Sequence, residues 1–384
     1  MNSMFTAPAL IFTGKDALLS AGEHMQKAGQ KALIVTDPTM VKVGNVRQVT
    51  DLLDRLHTAY AVFDGVTGEP TDRIVAAGKK AYTENRCDFL IAVGGGSPID
   101  TMKAIGAMIT NPGDITDYLG KTIPNPPPPT FAIPTTAGTG SEATRFTIIT
   151  DTKRDIKMLL QGESLIPSTA IVDFRFSMTA PPRVTASTGL DALCHAVESY
   201  TSRKAQPLSD LFARDAVKKI FTALPAAFDD GSDEKARETM SLAALEAGIA
   251  FNNSSVTIIH GMSRPIGALF HVPHGLSNAM LLPKCLAFAL PGAAGRFADL
   301  ARDIGACGGG ASDSEAGKAF LRKTEELCQK LKIQTPAEFG IDRGKFFDSI
   351  DKMTEDAIAS GSPANTGRQP TADDIKRIYQ SLWS

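Results

Sequence analysis

The chain has 384 residues, 40 Lys+Arg against 42 Asp+Glu, a formal net charge of −2 and 43% hydrophobic content. That length suits two domains or one large α/β unit, and the balanced, well-mixed charge excludes an extended basic face for nucleic acid or an anionic membrane surface. The five cysteines, at 87, 194, 285, 307 and 328, are odd in number and never form Cys-x-x-Cys, which excludes a disulfide framework, a zinc ribbon and a thiol redox motif and suits a reducing compartment.

In chain order, the first eight residues show no basic segment leading into an apolar core, and no apolar run reaches membrane-spanning length; a cytoplasmic protein without a membrane partner is the expectation. Ala32-Leu-Ile-Val-Thr36 reads as a buried strand that stops at Asp37-Pro38, and residues 41–56 carry Val46, Val49, Leu52, Leu53 and Leu56 at helical spacing. A second strand, Ala59 to Phe63, precedes Glu69-Pro70-Thr71, a helix entry, and a helix to about Asn85. The third strand, Phe89 to Val93, runs into Gly94-Gly-Gly-Ser-Pro98 and a helix with Ile99, Met102, Ile105 and Ile109 on one side. Strands alternating with helices at this spacing predict βαβ units and a parallel sheet. A stiff proline-rich connection, 111–130, leads to a strand at Phe131-Ala-Ile133 and a second loop, Thr135-Thr-Ala-Gly-Thr-Gly-Ser-Glu142. Phe146 to Thr150 and Lys157 to Leu160 read as a hairpin, and Ala170 to Val172 as the last strand. Beyond Thr179-Ala-Pro-Pro182 the patterns are alanine- and leucine-rich and helical as far as Trp383. The expected fold is therefore an α/β domain with a parallel sheet over 1–179 and an all-α domain over 180–384.

Two stretches concentrate the chemistry. Only six histidines occur, and four of them lie between 195 and 274; His24 and His57 sit among surface-helix residues and read as solvated. Asp191 and His195 are four apart among good helix formers, so on a helix they share one face a turn apart. A lone Asp-x-x-x-His is also an ordinary helix feature. With His260 and His274, however, one carboxylate and three imidazoles are available, a set that a divalent ion such as Zn(II) or Fe(II) accepts. His271 stands three before His274, and spacing alone leaves open whether it is a ligand or an outer neighbour. The strand ending at Gly94-Gly-Gly presents free backbone N–H groups at a helix N-terminus, where phosphate binds. Ile99 stands where a third glycine would be, so the ordinary Gly-x-Gly-x-x-Gly fingerprint is absent. The second loop, 135–142, could face the first across a pyrophosphate. Asp37 could accept a ribose diol and repel a 2′-phosphate, favouring NAD over NADP, or simply form an Asp-Pro turn.

Gly94-Gly-Gly-Ser-Pro-Ile-Asp100 with Lys103, Thr135 to Glu142, Gly189-Leu-Asp191-Ala-Leu-Cys-His195-Ala-Val-Glu198, Ala250-Phe-Asn-Asn253, and His260-Gly-Met through His274-Gly resemble the iron-containing (group III) alcohol dehydrogenase family over essentially the whole chain. The resemblance implies a dinucleotide-binding α/β domain, a helical domain of the dehydroquinate synthase-like type, and a cleft between them holding NAD(H) and one divalent metal, Fe2+ or Zn2+. It implies Asp191, His195, His260 and His274 as ligands, with His271 outside the set. It implies Asp37, Gly95, Gly96, Ser97, Asp100, Thr135, Thr136, Thr139, Ile148, Lys157 and Thr179 as cofactor contacts, Phe251 lining the pocket, and a homodimer or larger assembly. No protein side chain beyond the metal and cofactor is then needed for the chemistry.

The sequence departs from that family in three places. Where relatives carry His-Gly-Met-x-His, this chain has Arg264, which cannot act as a base near neutral pH. Arg264 is instead expected to bind an anionic group on a short substrate through a bidentate fork, or to pair with a local carboxylate or the cofactor phosphates. Arg368, in Asn365-Thr-Gly-Arg368-Gln-Pro370, is a second candidate for the anion, and Glu69 replaces a frequent asparagine, which puts a minor cofactor contact in doubt. The expected reaction is interconversion of a short primary alcohol and its aldehyde. Its rivals are a glycerol- or polyol-type dehydrogenase on neutral substrates and a dehydroquinate synthase-like lyase, which net NADH consumption would separate from a dehydrogenase.

Overall fold

The computed structural model describes residues 3–383 and divides into two compact units. In the first, Thr6–Ala180, the strands are β1 (Leu10–Thr13), β2 (Lys31–Thr36), β3 (Ala59–Phe63), β4 (Phe89–Gly94), β5 (Thr130–Pro134), β6 (Phe146–Asp151), β7 (Ile156–Gln161) and β8 (Thr169–Val172). Six of them form one all-parallel sheet in the order β1-β8-β5-β4-β2-β3, and β6 and β7 pair as an antiparallel hairpin. The helices are α1 (Ala17–Ser20), α2 (Gly22–Ala28), α3 (Pro38–Lys42), α4 (Asn45–Arg55), α5 (Asp72–Glu84) and α6 (Gly96–Thr110).

The apolar strand runs explain the layering. Successive side chains of a strand point to opposite faces, so Leu33, Val35, Leu90 and Ala92 pack with Val75 of α5 and Met102 and Ile105 of α6. Their neighbours Ala32, Ile34, Phe89, Ile91 and Val93 pack on the other face with Leu18 of α1, Met25 of α2 and Val49 and Leu53 of α4. Such double coverage is why these strands read as continuous apolar runs rather than alternating ones. Two local expectations need correction. The helix expected over 41–56 is broken into α3 and α4 at Gly44, whose φ of +87° is left-handed. The short β1, α1 and α2 precede the first strand read from the sequence. Winding reverses at β2, which has β3 on one side and β4 on the other. In open α/β sheets the crevice outside the strand carboxyl ends at such a reversal is where ligands bind, and Asp37 and Gly95 are the residues that follow β2 and β4 there.

The second unit runs from Pro181 onward and includes residues 3–5. It is all helical: α7 (Pro182–Thr201), α8 (Pro207–Asp229), α9 (Glu234–Ser254), α10 (Ile258–Phe270), α11 (His274–Ala289), α12 (Ala294–Asp303), α13 (Asp313–Lys330), α14 (Pro336–Phe339), α15 (Arg343–Asp348), α16 (Ile350–Ala359) and α17 (Ala372–Ser381). α7 is buried almost all round and packs against α8, α9, α10 and α11, which is how a helix with apolar residues on every side is accommodated in a globular core. No single helix among the described residues is long and apolar enough to cross a membrane.

A candidate metal centre and a candidate dinucleotide site

Asp191, His195 and Glu198 follow one another at helical spacing, so α7 presents all three on one buried face. The chain turns by 104° between α9 and α10, with Ser255 at φ +66° in the break, and His260 is the third residue of α10. Pro273 precedes α11, which His274 opens. One ligand-capable atom each of Asp191, His195 and His260 lies within 4.8 Å of the others, all three buried. His260 Nε2 is 3.5 Å and His274 Nε2 3.8 Å from Asp191 Oδ1. Bonds of 2.0–2.2 Å in a tetrahedron set ligand atoms roughly 3.3–3.6 Å apart, so small adjustments bring these atoms to that spacing. His274 is the open side of the group, its side chain 43% exposed.

The lone pairs also converge. The amide Nδ2 of Asn278 sits 2.6 Å from Asp191 Oδ1, 3.1 Å from His260 Nε2 and 3.3 Å from His274 Nε2, while its buried Oδ1 has no partner. Three acceptors aimed at one donor are the arrangement a cation also satisfies, so the residues fit a divalent ion. The field agrees. Burial alone would raise the Asp191 carboxyl, yet His195, His274 and His260 hold it far below the usual carboxylate range. Burial opposes a charged His260, but Glu198 and Asp191 outweigh it and lift the imidazole to about 9.

Around this cluster, Phe251 stacks on His195 with ring centroids 4.2 Å apart and planes 15° from parallel. Arg264 lies one turn beyond His260 on α10. Its Nη1 donates to Ser362 Oγ at 3.2 Å, its Nε is buried without a partner, and among the described residues no carboxylate pairs with it. Glu198 acts on it only through space. Arg368 is engaged elsewhere: its guanidinium stacks 4.2 Å over Phe288 and lies 3.8 Å from Asp374, half exposed. None of these contacts is to the histidine cluster, and the reading of Arg368 as a second anion contact stays a proposal. His271 is an exposed residue in left-handed conformation ending α10.

In the other unit, Gly95 precedes α6 and Gly96 begins it, leaving their N–H groups at a 15-residue helix's N-terminus. Gly94 is in register with Pro134, and Thr135 N donates to Gly94 O at 3.0 Å. A Cβ at Gly95 would stand 3.5 Å from Thr136 and one at Gly96 3.1 Å from Thr139, so the two loops lie against each other. Thr136 Oγ1 is buried without a partner beside them. Ser97 is in the first turn of α6. Asp100 accepts from Ser141 Oγ at 2.6 Å and Ile148 N at 2.9 Å, and buried Lys103 donates to Ser141 Oγ, Thr144 Oγ1 and Phe146 O at 2.8, 3.1 and 2.9 Å. These two side chains brace the second loop and β6 from below. Burial pushes the Lys103 ammonium down to about 8 and the Glu142 carboxyl up to about 7. Asp37 Oδ1 caps α3, accepting from Thr39 N at 2.8 Å and Met40 N at 3.0 Å, which is the turn role anticipated as its alternative. Lys157 is paired with Glu69 at 2.5 Å, and Thr179 accepts from Asn45 Nδ2 at 3.4 Å.

Three residues were given no role from the sequence: Glu198, quoted only as part of a motif, Asn278 and Ser362. Glu198 and Asn278 had a detectable signal, since they stand three beyond His195 and four beyond His274 on the same helices. Ser362 is remote in sequence and had none.

A parallel, doubly covered sheet joined in one chain to a helical unit with a buried carboxylate–imidazole cluster describes a nucleotide- and metal-using enzyme class. Comparison narrows this. The family description of iron-containing alcohol dehydrogenase matches residues 8–174, and that of the C-terminal part of the Fe-containing alcohol dehydrogenase family matches residues 185–383. The chain is 36% identical to 1,3-propanediol dehydrogenase of Citrobacter freundii over 99% of its own length and 98% of that protein's. It resembles the crystal structure of a 1,3-propanediol oxidoreductase with a TM-score of 0.96 at 34% identity, covering both chains completely. It also resembles sulfoacetaldehyde reductase from Bifidobacterium kashiwanohense in complex with NAD+, with a TM-score of 0.89 at 29% identity over 100% of this chain and 99% of that one. The chain belongs to the iron-containing alcohol dehydrogenase family. It is an NAD-dependent oxidoreductase acting on CH–OH groups, and the family's cofactors are NAD(H) and an iron ion.

Proposed function

We propose that this enzyme interconverts a short primary alcohol and its aldehyde, and that its substrate carries an anionic tail, a carboxylate, sulfonate or phosphonate, held by Arg264. In this reading Asp191, His195, His260 and His274 hold the metal, and Asp37, Gly95, Gly96, Ser97, Asp100, Thr135, Thr136, Thr139, Ile148, Lys157 and Thr179 serve the cofactor. When bound, the metal supplies Lewis acidity toward the substrate oxygen and the nicotinamide supplies or takes the hydride.

The chain's own residues do the rest. The N–H groups at the start of α6 and the Thr136 hydroxyl would hold the pyrophosphate, and the negative charge of Asp37 would disfavour a 2′-phosphate. Asp100 and Lys103 act through the loops they brace. Phe251 covers the face of His195, fixing the ring and keeping water off it. With all three imidazoles assigned to the metal and Arg264 permanently charged, none of these side chains is free to take the alcohol proton.

One observation supports the anionic tail: a largely buried guanidinium with, among the described residues, no carboxylate partner and an unsatisfied Nε. A buried donor left unmade costs about 1–3 kcal/mol, and a charge-assisted fork to an anion would recover it. The substrate named for the sulfoacetaldehyde reductase is an anion of this kind. A second reading, a neutral short alcohol or diol, is favoured by the name of the 1,3-propanediol relative; Arg264 would then be structural, tied to Ser362.

The test is NADH oxidation by metal-loaded protein on two aldehydes of equal length, one neutral and one ending in a carboxylate or sulfonate, for wild type and Arg264→Ala. The proposal expects at least a tenfold preference for the charged aldehyde, about 1.4 kcal/mol of transition-state discrimination, abolished in the variant. A better neutral substrate, with both rates changed alike by the substitution, would sink it.

A further inference from the structure

We infer that Glu198 is a positioning residue of the metal centre: one carboxylate oxygen sets the tautomer and direction of the His260 ring, while the other locks the start of the helix that carries it. The inference rests on the reading of Asp191, His195, His260 and His274 as metal ligands. Glu198 is 1% exposed, on the α7 face that also bears Asp191 and His195. Its Oε2 meets His260 Nδ1 in a very short contact. Its Oε1 accepts from Thr257 N at 3.0 Å, Thr257 Oγ1 at 2.7 Å and Ile259 N at 2.7 Å.

The geometry separates this from an ordinary helix cap. The N-cap position of α10 is Thr257, which makes no side-chain cap bond; its hydroxyl donates to Glu198 instead. Capping needs a single oxygen from a neighbouring residue. Here the acceptor comes from another helix, and its second oxygen is committed to the imidazole. An ionised carboxylate only accepts, so the hydrogen of that imidazole must sit on Nδ1. His260 Nε2, which faces Asp191 and Asn278, is then left as the lone-pair donor. A ring with its hydrogen on Nε2 would turn its lone pair toward Glu198 and none toward Asp191 and Asn278. One carboxylate thus ties two ligand-bearing helices together and selects which ring nitrogen is available. Outer-shell partners of this kind change metal affinity by about 10–100-fold.

The experiment is chelator competition for Zn2+ on the full chain, for wild type, Glu198→Gln and Thr257→Val, with melting of the metal-free proteins alongside. Glu198→Gln is expected to weaken Zn2+ binding by about 10–100-fold. Thr257→Val, which removes one donor and leaves the imidazole contact, is expected to lower the metal-free melting temperature while keeping affinity within about threefold. Should Glu198→Gln bind Zn2+ as wild type does, Glu198 is only a cap and the inference fails while the ligand reading stands. Should wild type bind no Zn2+, the ligand reading fails and takes the inference with it. If Glu198→Gln does not fold, long-range 15N spectra of histidine-labelled zinc protein decide. A His260 resonance protonated at Nδ1 and metallated at Nε2 supports the inference, and metallation at Nδ1 overturns it.

Discussion

Gly275→Ala is a one-carbon change that should uncouple metal binding from the rest of the molecule. Gly275 is the second residue of α11, immediately after His274, and it lies against the backbone of α7. A Cβ there would stand 2.6 Å from the carbonyl oxygen of Ser187, 3.0 Å from its carbon and 3.4 Å from Asp191 Cβ. In an α-helix the Ser187 carbonyl accepts the amide of Asp191, so the obstacle is main chain that no rotamer change removes. The oxygen contact falls short of the 3.4 Å where ordinary contact begins by about 0.8 Å. Two effects compete: alanine is favoured over glycine within a helix by about 0.8–1.0 kcal/mol, whereas overpacking a close interface costs about 1–3 kcal/mol. Collision wins, and α11 must lift from α7 by several tenths of an ångström. Metal–ligand bonds stay within about 0.2 Å of their preferred lengths, and His274, already 3.8 Å from Asp191 Oδ1, is carried further from the spacing at which it closes on an ion with Asp191. The expected result is at least a tenfold loss of Zn2+ or Fe2+ affinity by chelator competition, about 1.4 kcal/mol, with NADH binding, followed by fluorescence, unchanged because Gly95 and Gly96 lie in the other unit. Wild-type metal affinity in this variant would refute both the role of His274 and the claim that the α7–α11 contact sets its position.

Two further expectations concern the first unit. Asp37→Asn keeps a side-chain oxygen to cap α3 but removes the charge, so melting should be unchanged while the ratio of kcat/KM for NADH over NADPH falls at least tenfold; a constant ratio would reduce Asp37 to a cap. Burial lowers Lys103 from 10.5 to about 8, so between those pH values the unfolded chain binds more protons than the folded one, and this residue makes stability rise with pH. Relative to Lys103→Met, wild type should gain on the order of 3 kcal/mol between pH 8 and 10.5 in denaturant midpoints, and parallel curves would show that its ammonium is not desolvated.

The parallel sheet was legible because both faces of β2, β4 and β5 are covered, which forces runs such as Phe89-Leu-Ile-Ala-Val93 to be apolar throughout. The break at Gly44 was harder to see, since Val46 to Leu56 continue a helical pattern on the far side and periodicity carries no phase information across one left-handed residue. β1 left little trace: its residues are mostly exposed, so neither alternation nor a continuous apolar run marks it. At the histidine cluster, helical arithmetic brings Asp191 beside His195, but no local rule brings His260 or His274 to them. That depends on a 104° turn between α9 and α10 and on the approach of α11 to α7. The same limit explains Asn278 and Glu198. Their identities fit many buried roles, and only tertiary contact distinguishes them. Arg264 is the opposite case. Its departure from the family pattern was visible at once, whereas its lack of a carboxylate partner required the fold.

That missing partner bears on the substrate. Asp191 and Glu198 are two buried carboxylates acting on one imidazole, and a divalent ion held by neutral imidazoles would balance them. Arg264 then adds a positive charge that nothing in its surroundings neutralises except Glu198, already committed to His260 and α10. With a divalent ion in place, Arg264 therefore leaves the centre with one unbalanced positive charge in a largely buried place, and burial of such a charge is unfavourable unless it is paired. A neutral diol leaves that imbalance in the bound complex. The proposed substrate, a short aldehyde with a carboxylate or sulfonate, would remove it on binding, and only with a tail that reaches the guanidinium. In the proposed reading the arginine supplies discrimination rather than chemistry: the family is defined by its fold and its NAD(H)- and iron-dependent reaction, and the charge on α10 would select among short aldehydes by their tails.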